Sequence, residues 1–174
     1  KNEKQGKIRQ RLLKIRARKV ILATGSLERP LVFNNNDRPG IMLSSAIKKY
    51  ADFYGVACGM KTVFFTNNDS AYESAFSLHN KGIKVEAIID IRGNSNSKIV
   101  KTVEQAGIKI YWSHNIVDTK GYKRLNNVSI MKLSNDGMSV TGQRINISCD
   151  CLGIAGGWTP AVHLFTQSGG KLQF

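Results

Sequence analysis

The six residues Thr66-Asn67-Asn68-Asp69-Ser70-Ala71 follow a short apolar run, Thr62-Val63-Phe64-Phe65, and open a helical pattern. An acid, Asp90, falls about 20 residues further on, at the end of the next apolar run. Strand, tight turn, helix, strand and terminal acid form the layout that binds a dinucleotide when the turn reads G-x-G-x-x-G/A. The first two glycines let backbone amides reach a pyrophosphate at the helix N-terminus, and the third small residue lets helix and strand pack. Here Thr66 and Asn68 hold the first two glycine positions, and Ala71 meets the third. The turn keeps the architecture and the acid but loses the space for phosphate, and Asp69 adds a like charge beside it. Pyrophosphate binding at this turn is not expected. Asp90 reads either as an acceptor for a ribose hydroxyl or as an ordinary strand-end acid.

Other groups able to do chemistry are sparse. Cys58, Cys149 and Cys151 suit a reducing compartment and offer no disulfide framework. On a strand, Cys149-Asp150-Cys151 would set both sulfurs on one face. That pair lacks the two-residue spacer of a dithiol redox motif and a second pair to complete a zinc site. The cysteines therefore read as buried thiols. His79, His114 and His163 stand far apart with no partner at helical spacing, so no metal site is expected. No catalytic set of acid, base or nucleophile can be assembled.

The elements that must position these residues follow from periodicity. Residues 20–23 (Val-Ile-Leu-Ala) form an apolar run closed by Thr24-Gly25, the pattern of a central parallel strand buried on both faces. Residues 26–40, with two prolines and three consecutive asparagines, read as a loop or crossover. Ser44 or Ser45 can cap a helix burying Ile47, Tyr50, Ala51 and Tyr54 and ending before Gly55. Strands are expected at 62–65, 83–89 and 108–112, with helices at 70–81 and near 97–106. A Ser70/Glu73 capping box starts the first of these helices, and Gly82 and Gly107 stop the two. This alternation is the unit of a Rossmann-like parallel α/β sheet with a βαβαβ core. Residues 115–148 alternate in shorter runs split at Gly121 and at Ser134-Asn135-Asp136-Gly137, which predicts an inserted antiparallel ribbon or meander. Residues 151–155 then form a last buried strand opening into Gly156-Gly157-Trp158-Thr159-Pro160.

The formal charge is +14, and residues 1–19 carry nine Lys/Arg against the single acid Glu3. Leu13, Ile15 and Ala17 alternate with Lys14, Arg16 and Arg18, the period of a strand with one wet face. An RNA or anionic-lipid patch is the competing reading, but no aromatic residues interleave to stack bases. No specific nucleic-acid partner is expected. No apolar run approaches the roughly 18–20 residues of a membrane span, and no signal-peptide pattern is present. The start at Lys1 and the stop after an apolar-aromatic stretch suggest a piece of a longer polypeptide.

Two glycine motifs flank the βαβαβ unit. Residues 20–25 (VILATG) resemble the strand-end ATG motif of two-dinucleotide-binding flavoproteins, and residues 154–160 (IAGGWTP) resemble the matching return point. With residues 23–46 (ATGSLERPLVFNNNDRPGIMLSSA), 66–75 (TNNDSAYESA) and 155–171 (AGGWTPAVHLFTQSGGK), nearly all of residues 13–174 resemble the alpha subunit of heterotetrameric sarcosine oxidase. The resemblance implies a cytoplasmic complex that oxidatively demethylates sarcosine to glycine, giving a tetrahydrofolate-linked one-carbon product and hydrogen peroxide. It implies NAD in the alpha subunit, flavins in the parent complex, and other sarcosine oxidase-type subunits as partners. Carried over, Thr24 and Gly25 would border an NAD site in a first domain, and Gly156 and Gly157 would approach it on the return. The family's amino-terminal glycine-rich motif and folate-binding region have no counterpart here, so no cofactor is expected to bind this chain on its own. The domain reading is 1–40 as a remnant of the first dinucleotide-binding domain, 41–153 as a second Rossmann-like unit, and 154–174 as the return. Trp158 reads as a packing anchor between domains and His163 as an ordinary polar contact. The rival readings are a subunit of an opine oxidase or hydrogen cyanide synthase, a nicotinamide-dependent flavoprotein reductase, or a basic interaction module.

Overall fold

The computed structural model describes residues 10–173. Two units can be separated, one of residues 26–160 and one formed by the segments up to Gly25 and from Ala161.

The larger unit is ordered as β1 (Ser26–Glu28), β2 (Ile41–Leu43), α1 (Ser44–Phe53), β3 (Lys61–Thr66), α2 (Ser70–Asn80), β4 (Lys84–Asp90), α3 (Lys98–Gln105), β5 (Ile110–Trp112), β6 (His114–Lys120), β7 (Asn127–Leu133), β8 (Val140–Ser148), β9 (Cys151–Ala155) and β10 (Trp158–Pro160). Five strands make a parallel sheet in the order β2-β9-β3-β4-β5, and β6-β7-β8 make an antiparallel meander. β1 and β10 pair antiparallel. The parallel sheet has apolar cover on both faces, which is why β3 and β9 read as nearly unbroken apolar runs. Alternation along β3 divides the core. Phe64 packs with Ile47 of α1, Tyr72 and Leu78 of α2, and Val100 and Val103 of α3. Val63 and Phe65 pack with Ile116, Val128 and Ile130 of the meander. The expected strand–helix alternation, the inserted antiparallel ribbon and the buried strand 151–155 are all present.

Several local expectations are corrected, among them the loop reading of residues 26–40, whose start forms β1. Tyr50 and Tyr54 are exposed rather than buried, because α1 presents only Ser44, Ile47 and Ala51 to the core. Neither Ser44 nor Ser45 caps α1; Glu28 of β1 accepts from the Ser45 amide at 2.9 Å instead. The Ser70/Glu73 capping box does not form either. Ser70 donates its hydroxyl to Asn68 Oδ1 at 2.6 Å, and the same oxygen accepts from the Ser70 amide at 3.0 Å. Finally, the two cysteine sulfurs do not share a face. Cys149 lies in the meander-side core and Cys151 in the helix-side core, because the chain passes from one sheet to the other between them. The Cys149 amide donates to Asn126 O beside the meander, whereas the Asp150 amide donates to Lys61 O at the parallel sheet.

In the smaller unit, α4 (His163–Gln167) is a short helix with no buried residue. Thr24 Oγ1 donates to Ala161 O at 2.6 Å, and the Ala161 amide donates to Gly25 O at 2.9 Å. The strands expected at 13–18 and 20–23 are absent: no ladder involves residues 10–25, and Val20 and Ile21 are 76% and 91% exposed. An apolar run becomes a strand only where a neighbour takes its backbone groups, and no described residue does so here. The rest of the basic segment, residues 1–9, lies outside the described residues.

Candidate functional site

The carboxyl ends of β3, β4 and β9 place the Thr66–Ser70 turn, Asp90 and Gly156-Gly157 along one edge of the parallel sheet, where ligands bind in open α/β folds. The turn is filled by its own side chains. Thr66 is fully buried, and its hydroxyl accepts from the Asn68 amide at 3.0 Å and lies 3.1 Å from Ala155 O. The Asn68 side-chain amide donates to Ala155 O at 3.0 Å and to Asn67 Oδ1 at 2.9 Å, while its oxygen caps α2 through Ser70. The position a phosphate would take at the helix N-terminus is therefore held by a side-chain carboxamide.

Asp90 sits at the end of β4, where a ribose-binding acid is expected, but it is fully buried. One of its oxygens accepts from the Arg92 amide at 2.9 Å and Arg92 Nε at 3.1 Å. The other accepts from Tyr72 Oη and Arg92 Nη2, both at 2.8 Å. Four donors match the roughly four lone-pair positions of a carboxylate. A ribose hydroxyl could bind only by displacing Tyr72 or Arg92.

Arg92 also donates to Asp69 Oδ1 at 2.7 Å, so Asp69 is paired and does not stand as the uncompensated like charge its position suggested. Burial works against the charged Asp69 carboxylate, but the hydrogen bond and charge of Arg92 outweigh it and hold the group below its ordinary range. Burial first, then the hydrogen bond and charge of Asp90, push the Tyr72 phenol well above its ordinary value. Tyr72 is a fixed hydrogen-bond donor, stacked on Trp112 with ring centroids 6.2 Å apart. A dinucleotide does not fit this turn and this acid as they stand.

The glycines of the return segment have a packing reason. A Cβ at Gly156 would lie 2.8 Å from Pro30 O and 2.9 Å from Arg29 O. The backbones clasp there through Gly156 N to Arg29 O at 2.7 Å and Arg29 N to Gly157 O at 2.8 Å, and Gly157 has φ +110°. Thr24 and Gly25 are exposed in the smaller unit, and Gly25 has φ +68°. Trp158 is 46% exposed. With Glu28, Ser45, Lys48, Phe53 and Ser70 it lines a groove of about 410 Å³ along α1 and the first turns of α2. Burial pushes the Cys149 and Cys151 thiols up to about 12, which makes them inert packing groups. No cluster of metal-ligating side chains occurs among the described residues, and no described helix is long and apolar enough to cross a membrane.

Sequence reasoning missed Arg92, Tyr72 and the groove. Arg92 left a signal: a cation two residues past a strand-end acid, in a unit that brings that strand end beside the preceding turn.

No family model matches the chain. The sarcosine oxidase subunit alpha of Corynebacterium sp. (strain P-1) is 41% identical over 169 residues, which is 96% of this chain and 17% of that protein. That of Corynebacterium sp. (strain U-96) is 35% identical over 170 residues, covering 98% of this chain and again 17% of the relative. The chain thus spans 17% of the length of these relatives. Among solved structures, the thioredoxin reductase of T. acidophilum aligns with a TM-score of 0.63 over 86% of this chain and 47% of that one. At 18% identity this likeness shows the fold alone. Over nearly every residue, the chain is thus similar to one segment of these longer sarcosine oxidase alpha subunits.

Proposed function

We propose that this chain serves as an internal nucleotide-binding-fold domain of a sarcosine oxidase-type alpha subunit. Its complex would demethylate sarcosine to glycine in the cytoplasm, with a tetrahydrofolate-linked one-carbon product and hydrogen peroxide. The observation that carries this reading is the 41% identity over 96% of the chain.

NAD belongs to the alpha subunit in this reading, bordered by Thr24, Gly25, Gly156 and Gly157, and the flavins belong to the complex. The Gly156–Arg29 clasp supports Gly156 as a place where backbone must pass closely, and Gly25 has the positive φ of a glycine turn. Asp90 joins them indirectly, by fixing Arg92 at the sheet edge. The domain limits are part of the proposal: a unit built on residues 41–153, with 1–40 and 154–174 tying it to a neighbouring dinucleotide-binding domain. Other subunits are the partners, and no specific nucleic acid is bound.

The test exchanges this chain for the matching segment of the Corynebacterium alpha subunit and assays sarcosine-dependent peroxide release and NAD content. Assembly with activity is expected, and Gly156→Val should lower the NAD content. A folded hybrid that assembles but gives no peroxide would refute the reading. The reductase-type fold favours one alternative, a nicotinamide-dependent flavoprotein reductase. NADPH-driven dye reduction without sarcosine would select it.

A further inference from the structure

We infer that the β3–α2 cleft is a self-occupied dinucleotide site, in which Asn68 stands in for the pyrophosphate and Arg92 closes the ribose position. This inference rests on the fold and side-chain geometry alone, and it holds whichever substrate the parent complex takes.

The Asn68 carboxamide is satisfied at every position. Its nitrogen donates to Ala155 O and Asn67 Oδ1, and its oxygen accepts from the Ser70 amide and hydroxyl. That is the full capacity of an asparagine side chain, so no valence is left for a ligand. Three backbone amides of the turn are also engaged. Asn67 N donates to Ala155 O, Asn68 N to Thr66 Oγ1 and Ser70 N to Asn68 Oδ1. On the ribose side, Arg92 grips Asp90 through two nitrogens and reaches Asp69 across the mouth of the turn. Ser95 adds a hydroxyl to the same Asp69 oxygen at 3.3 Å. Strand end, turn and helix start are thereby joined by internal bonds where a nucleotide would otherwise join them. The unit keeps the nucleotide-binding architecture and uses it as a rigid connector.

The test follows the amide signals of the isotope-labelled chain by NMR during titration with NAD, NADP, FAD and inorganic pyrophosphate. Signals of residues 66–71 and 90–92 should stay unmoved to millimolar ligand. Binding that shifts only other residues upholds the inference. A micromolar dissociation constant with shifts at Ser70 and Arg92 overturns it. The paired variant Thr66→Gly/Asn68→Gly should gain pyrophosphate-dependent shifts at Ser70, at least tenfold above the parent chain. If it stays silent while folded, something other than these side chains closes the cleft, and the assignment fails. Should the pair not fold, Asn68→Ala alone is read in the same way.

Discussion

Replacing Arg92 by methionine removes the cation from Asp90 and Asp69 while keeping much of the side-chain stem. Asp90 is fully buried, whereas the Asp69 side chain is 37% exposed, so the two carboxylates lose unequal amounts. Of the four donors on Asp90, the substitution deletes Nε and Nη2 and leaves the residue-92 amide and Tyr72 Oη. Removing one partner of a buried pair costs about 3–5 kcal/mol, because the remaining charge is left uncompensated. With two donors kept, and an Arg92 side chain 30% exposed so that water can follow, the lower end of about 3 kcal/mol applies. Asp69 adds under about 1 kcal/mol, as exposed pairs do. Against a total of about 5–15 kcal/mol for a domain, urea denaturation should show a clear loss of midpoint at unchanged slope. The companion Asp90→Asn/Arg92→Met removes the orphaned charge and should recover about 1–2 kcal/mol relative to Arg92→Met, a coupling typical of residues in contact. An Arg92→Met chain within about 1 kcal/mol of the parent, or a double variant that falls by the sum of the singles, would refute the buried-network argument.

Gly156→Ala sets a methyl against the carbonyl oxygens of Arg29 and Pro30, backbone atoms that cannot swing away, and should cost about 1–3 kcal/mol, read as a lowered Tm. A Tm equal to the parent's would show that the clasp yields. Only Cys58, which is partly exposed, should react with a disulfide reagent at pH 8 in the native chain, and all three cysteines after unfolding. Fast reaction of two or more native thiols would contradict the burial of Cys149 and Cys151. Burial pushes the Asp150 carboxyl up, but hydrogen bonds from the Lys61 amide at 2.8 Å and the Met60 amide at 3.1 Å outweigh it and hold the group below its ordinary 3.8. A depressed carboxyl contributes stability above its unfolded pKa and loses it as pH falls through the folded value. Stability should therefore be level above about pH 5 and decline below 3.8, and Asp150→Asn should flatten that decline. An unchanged acid limb in the variant would refute the assignment.

The alternation from β3 to β5 was legible because its signals are local. Apolar periods mark each element, and Gly82 and Gly107, both at φ +76°, stop the helices that precede them. The signals that failed depend on neighbours distant in sequence. The helix caps are one case: Glu28 reaches Ser45 from 17 positions upstream, and no local motif announces it. The cysteine pair is another, since the two-residue alternation that would align the sulfurs holds only while both lie on one strand. Residues 20–23 have the composition of a buried strand, but burial is a property of what surrounds a segment, and the described residues leave this one exposed.

The turn at Thr66–Ser70 shows how a substitution pattern can be read correctly in outline and wrongly in cause. From sequence, the bulk of Thr66 and Asn68 and the charge of Asp69 both seemed to exclude phosphate. In the structure Asp69 is neutralised by Arg92, so repulsion contributes little. Exclusion rests on occupancy: the Asn68 and Ser70 amides already hold partners within the turn. A charge can be overcome by salt or by a counter-ion, whereas a satisfied hydrogen-bond network must be broken bond by bond before a ligand can replace it. Raising the ionic strength should therefore leave this cleft closed.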